Sequence, residues 1–86
     1  MEEWMNIRDT IVKLMKEVAE TTDAELDAEL NDDLQLLNSG LDSLGFAILV
    51  ARLEEELGYD PFTLMEDPIY PTTMGEFVEI YQRFAR

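Results

Sequence analysis

The stretch from Leu41 to Gly58 constrains the fold of this chain more than any other. Behind Asp42 run Ser43-Leu44-Gly45-Phe46-Ala47-Ile48-Leu49-Val50-Ala51-Arg52-Leu53-Glu54-Glu55-Glu56-Leu57. Apolar residues repeat at helical spacing and the acids gather at the far end, so the run predicts a helix from about Ser43 to Leu57. Asp42 suits the N-cap, where its carboxylate can accept an amide hydrogen bond from the first turn. Leu41 and Phe46 then stand at the two positions of a hydrophobic staple. Gly58 can take the left-handed conformation that ends a helix, leaving Tyr59 to fold back on Leu53.

The flanking segments read as further helices. From about Glu2 to Glu20, Trp4, Ile7, Ile11, Leu14 and Val18 form an apolar stripe widened by Met5, Val12 and Met15, which predicts an amphipathic helix ending at Thr21-Thr22-Asp23. Thr22 to Asp42 reads as a long loop with one short helical turn, pinned by Leu26, Leu30, Leu34, Leu36 and Leu37. Asn31-Asp32-Asp33 and Asn38-Ser39-Gly40 mark its turns. Asp60-Pro61 starts a short helix reaching to about Asp67, because proline suits a first helical position. Pro68 and Pro71 impose an extended piece around Ile69-Tyr70. Thr73-Met74-Gly75-Glu76 is a capping box for a last helix with Phe77, Ile80, Tyr81 and Phe84 on one face. No alternating run with turn signals predicts a sheet. The expected fold is therefore all-α: a small four-helix bundle, three main helices plus one short one, with a long loop between the first and second.

Composition bounds what such a bundle can do. With 86 residues, the chain has room for a single domain with one core, taken as 1–86. It has no cysteine and no histidine, which excludes disulfides, a thiol nucleophile, Cys/His zinc sites and the usual general base. The net charge of −14 repels nucleic acid and anionic membranes and attracts basic protein surfaces. For most of the acids, the plainer reading is a solvated, solubilising surface. The acids between Asp23 and Asp33 lack the central glycine of a calcium loop. Met1-Glu2-Glu3-Trp4 is unlike the basic start of a signal peptide. The longest uncharged run, Leu44 to Ala51, is far shorter than the roughly 20 residues a membrane helix needs. The expectation is a cytoplasmic monomer.

Ser43, at the entrance to the central helix, can be read in three ways. As a catalytic nucleophile it lacks a partner histidine, and Leu41 stands where a nucleophile elbow needs its first glycine. As an ordinary first-turn residue it needs no further role. The third reading comes from its surroundings. Gly40-Leu41-Asp42-Ser43-Leu44, followed by an apolar helix ending Leu53-Glu54-Glu55-Glu56-Leu57-Gly58, resembles the phosphopantetheine attachment region of acyl and peptidyl carrier proteins. Length, acidity, the leading amphipathic helix, the long loop and the closing helix extend the resemblance over nearly the whole chain.

The resemblance implies a non-catalytic carrier. A phosphopantetheinyl transferase would move 4′-phosphopantetheine from coenzyme A onto Ser43. The thiol of that arm would hold acyl or aminoacyl cargo as a thioester, which supplies the sulfur the chain lacks. By the same resemblance Asp42 would cap the helix and help dock the transferase, Gly40 would permit the turn presenting the serine, and Leu44 would pack in the core. Ser39 does not match the modified position. Further partners would be an adenylating or acyl-loading enzyme and downstream acyl-transfer or condensing enzymes. Fatty-acid-type carriers place acids along the early turns of this helix, whereas here Leu44 to Ala51 is uncharged. With Leu44, Leu49, Leu53 and Leu57 inward, Phe46, Ala47, Ile48 and Ala51 lie partly outside. Together with Leu41 they are the expected partner-facing residues, unless the long loop covers them. The departure favours a stand-alone carrier of nonribosomal-peptide or polyketide type. The competing reading is an acidic helical adaptor that binds a basic protein without modification.

Overall fold

The computed structural model describes residues 6–26, 29–66 and 71–85. Among these residues the order is helix α1 (Ile7–Thr22), a 3₁₀ turn (Leu36–Asn38), α2 (Ser43–Leu57), α3 (Pro61–Leu64) and α4 (Met74–Arg83), with no strand. The expected all-α bundle with a long first loop is what forms. Trp4, Met5, Pro68, Ile69 and Tyr70, used in the sequence reading, lie outside the described residues.

Each helix starts on a residue whose side chain accepts an amide of its first turn. Asn6 caps α1, Asp42 caps α2, Asp60 caps α3 and Thr73 caps α4. Because the first amides of a helix have no internal acceptor, a short polar side chain there contributes about 1 kcal/mol. Pro61 occupies the first turn of α3, where its missing N–H costs nothing. Gly58 ends α2 with φ 86° and donates to the Glu54 carbonyl at 2.9 Å. α1 ends at the expected Thr21-Thr22-Asp23. Thr21 and Thr22 remain helical, and Asp23 takes the left-handed turn at φ 61°. The Ala24 amide then reaches back to Ala19 O at 2.8 Å, closing a Schellman-type end. α3 is shorter than expected, stopping at Leu64.

α1 packs against α2 and α4. The core collects Ile11, Leu14, Met15, Val18 and Ala19 of α1, Leu49 and Leu53 of α2, and Met74, Phe77, Val78 and Tyr81 of α4. Phe46, Phe62, Phe77, Tyr59 and Tyr81 form a chain of ring contacts with neighbouring centroids 5.2–6.2 Å apart. Tyr59 is buried, as the fold-back after Gly58 suggested, and its hydroxyl donates to the Tyr81 carbonyl at 2.6 Å. That carbonyl lies in the last turn of α4, where helix acceptors run out of internal donors. The Tyr81 hydroxyl is itself buried and has no hydrogen-bond partner among the described residues. Burial pushes its pKa up, and the neighbouring Asp60, Tyr59 and Glu54 push in the same direction.

The long loop is stitched to α4. Leu36 N–H donates to Thr72 O, and the first two amides of α4, on Met74 and Gly75, donate to Leu34 O and Asp32 O. Arg8 of α1 holds the same stretch, pairing with the Asp32 carboxylate and donating to Leu30 O at 2.6 Å. Leu26, Leu30 and Leu34 pack against the core and Leu36 joins it, as expected. Leu37 does not: at 81% exposure it points outward. A 3₁₀ turn has three residues per turn, so the consecutive Leu36 and Leu37 cannot share a face. The capping box at Thr73 is also modified. Thr73 Oγ1 accepts from Glu76 N at 3.2 Å, while Glu76 Oε1 accepts from the Thr72 amide at 2.8 Å and the Thr72 hydroxyl at 3.1 Å. These bonds, the amide one first, hold the Glu76 carboxyl below its usual range.

Candidate functional site

The turn leading into α2 is assembled from residues with opposite fates. Ser39 is fully buried; its Oγ donates to Leu36 O at 2.7 Å and accepts from the Leu41 amide at 3.5 Å. Gly40 follows with φ 112°. A Cβ there would stand 2.0 Å from Glu25 O and 2.9 Å from Leu26 Cα. Only glycine both tolerates that torsion and lets the two backbones approach so closely. Leu41 turns inward, 2% exposed, and lies over Gly45, whose own Cβ would meet the Leu41 side chain at 3.2 Å. Asp42 stays outside and accepts from Gly45 N at 2.8 Å. Ser43 is then the first residue of α2, and it is exposed.

This geometry corrects two expectations. Leu41 is buried, so it cannot meet a partner; its apolar side chain seals the start of α2 against Gly45. Leu44, expected in the core, is 65% exposed. The inward direction at the start of α2 belongs to Gly45, Leu49 and Leu53, one and two helical turns apart, and Leu44 falls off that stripe. Of the other expected partner-facing residues, Ala47 and Ala51 are exposed and Ile48 is half-buried. Phe46 is half-buried, with its ring 6.1 Å from Phe77 in an edge-on contact. Arg52, the first charge of α2, pairs with Glu17 of α1, which leaves the early face of α2 uncharged. Two further leucines are exposed: Leu37 before the site, which the sequence reading turned inward, and Leu64 of α3, which it left unassigned. Neither had a signal, since a leucine in a short irregular segment carries no periodicity to assign its side.

Ser43 fits an anionic substituent. Its hydroxyl is exposed, so no neighbouring side chain must move. Asp42 takes the Gly45 amide and its carbonyl takes that of Phe46. The amides of Ser43 and Leu44 precede any helix-internal bond and have no acceptor among the described residues, at the positive end of the helix. They favour a phosphate diester by about 0.3–1 kcal/mol. No lysine or arginine occurs between Lys16 and Arg52, so within this stretch the helix end supplies the only positive field, against the Asp42 carboxylate.

A search of curated proteins and a search of solved structures each returned no match. The family described as phosphopantetheine attachment site matches residues 9–63, from the first turn of α1 into α3, with the Ser43 turn and all of α2 inside the match. Carriers of this family are substrates of phosphopantetheinyl transferases and work with acyl-handling enzymes. With well over half of its length matched, the chain belongs to the phosphopantetheine-binding acyl and peptidyl carrier proteins, whose cofactor is covalently attached.

Proposed function

We propose that Ser43 bears the phosphopantetheine and that the chain, as one monomeric carrier domain without turnover of its own, presents acyl or aminoacyl groups to biosynthetic enzymes. One observation carries the choice of residue. The chain has two serines; Ser39 is fully buried with its hydroxyl engaged, and Ser43 is exposed on the first turn of a 15-residue helix. The bound group supplies a thiol on a long arm for cargo. Ser43 Oγ provides the point of attachment, Asp42 holds the first turn of α2 open-ended, and Gly40 and Leu41 fix the direction in which the turn leaves the body.

The pathway reading is a stand-alone carrier of nonribosomal-peptide or polyketide type in a cytoplasmic setting, where coenzyme A is at hand. It is supported by the uncharged early face of α2, where Leu44, Ala47 and Ala51 are exposed. We take this face, with Ile48 and the outer edge of Phe46, as the surface that meets an adenylating or acyl-loading enzyme. Apolar residues grouped on one exposed helix face, unlike ones scattered singly, suit a partner surface. The test is intact mass after incubation with coenzyme A and a broad-specificity transferase. The parent should gain one phosphopantetheine and Ser43→Ala none. A gain that survives Ser43→Ala, or full biological activity of that variant, would favour the unmodified acidic adaptor instead.

A further inference from the structure

Ser39 is one of only two polar residues buried among the described residues, the other being Thr10. It lies four positions before Ser43, and the carrier reading gives it no task. Its placement is specific. The Leu36 carbonyl receives both the Ser39 amide, at 3.1 Å, and the Ser39 hydroxyl, at 2.7 Å. The same hydroxyl oxygen accepts from the Leu41 amide at 3.5 Å. One side chain therefore joins the 3₁₀ turn to the residue that precedes the cap of α2.

The 3₁₀ turn is itself anchored. Leu36 N–H donates to Thr72 O at 2.9 Å and Asn38 N–H to Gln35 O at 2.8 Å. On the other side Gly40 rests on the Glu25–Leu26 backbone, and Leu41 is sealed against Gly45. Between these two fixed points the chain must reverse through Gly40 at φ 112°. The Ser39 hydroxyl bridges that reversal from inside. Without it the Leu41 amide loses its acceptor, in a segment that forms no regular ladder to replace it.

We propose that Ser39 is a positioning residue for the modification of Ser43: its buried hydroxyl holds the Leu36–Leu41 elbow in the one arrangement that presents Ser43 Oγ to the transferase. This inference rests on the Ser43 reading. When the elbow is loosened, only a fraction of the folded carrier presents Ser43 in the competent arrangement; the transferase binds that fraction and carries out the same chemistry on it, so the effect belongs in KM for the carrier. Ser39→Ala should raise that KM about fivefold, the scale of one lost neutral hydrogen bond, with kcat within about twofold of the parent. Ser39→Cys, similar in size with a weaker donor and acceptor, should fall between the two.

The experiment measures transferase kinetics by intact mass at a temperature where every variant is fully folded. Residue-resolved amide exchange is measured on the unmodified chains. Val18→Ala, a cavity in α1 far along the sequence, serves as the control for general destabilisation. The expected result is a KM shift in Ser39→Ala, a smaller one in Ser39→Cys and none in Val18→Ala, accompanied by faster exchange at Leu41 and its neighbours in the elbow. An unchanged KM in folded Ser39→Ala overturns the proposal, as does an equal shift in Val18→Ala. Unaltered Leu41 exchange overturns it too. Failure of the parent to take up phosphopantetheine is a different outcome: it removes the Ser43 reading itself, and the positioning role falls with it.

Discussion

The first turns of α2 and α4 begin alike and end up differently. Both follow a short polar N-cap, Asp42 or Thr73, that accepts the amide three residues on. At α4 the preceding amides, on Met74 and Gly75, are consumed by Leu34 O and Asp32 O of the long loop. The other end of α4 is held as well, by the Tyr59 hydroxyl on the Tyr81 carbonyl. At α2 the corresponding amides of Ser43 and Leu44 have no hydrogen-bond acceptor among the described residues, and the turn before them is fixed from within. One helix start is built into the body, and the other, which carries the proposed attachment serine, is exposed. A cap therefore marks where a helix begins but not whether its end is available. Availability depends on what the rest of the chain brings to it.

The largest way to break the contrast is Gly40→Ala. The new Cβ would press on the Glu25 carbonyl at 2.0 Å in a left-handed torsion. Strain and overpacking together should cost about 3 kcal/mol, read from urea unfolding, and slow modification of Ser43. The two tyrosines come next. Tyr59→Phe removes the donor that holds the α4 terminus and should cost about 1 kcal/mol. Tyr81→Phe removes a hydroxyl with no partner among the described residues, so it should be neutral or stabilising by up to about 1 kcal/mol. Equal losses in the two variants would contradict the hydrogen-bonding described here.

Smaller effects sharpen the comparison of the caps. Asp42→Ala should cost about 1 kcal/mol and Thr73→Ala about half that, because the loop carbonyls continue to hold the first turn of α4. Thermal unfolding of the pair decides this, and a costlier Thr73→Ala would refute it. The smallest effect is a pH dependence. The Thr72 bonds lower the Glu76 carboxyl pKa from 4.5 in the folded chain. The unfolded chain then takes up its proton first as acid is added. The contribution of Glu76 is complete above its unfolded value and is lost as pH falls through the lower, folded one. Acid titration of stability should therefore be shallower in Glu76→Gln below about pH 5, with little difference at neutral pH.

Much of the fold was legible because the signals act over a few residues. Leu49 and Leu53 at helical spacing, Asp42 before and Gly58 after, define α2 without any distant contact. Asp60-Pro61 and Thr73 do the same for α3 and α4. The way α1 ends was less legible than where it ends: Asp23, not a glycine, adopts the left-handed end, and the threonine before it stays helical with its side chain bonded back to Val18 O. Leu41 and Leu44 were assigned to the wrong sides for a related reason. Both are leucines beside the same cap, and only the seating of Leu41 on Gly45 decides which one turns inward.

The sequence by itself determined an all-helical chain, the start of α2 at Ser43 and the chemistry available there, since periodicity, capping and composition are local or global properties of the string. Tertiary structure decided which of the two serines is reachable, which leucines face outward, and that the long loop closes α4 while leaving α2 open. Those outcomes depend on residues far apart in sequence, such as Asp32 with Gly75 and Glu25 with Gly40, meeting in space. No local pattern encodes such meetings, because they exist only once the core has brought the helices together.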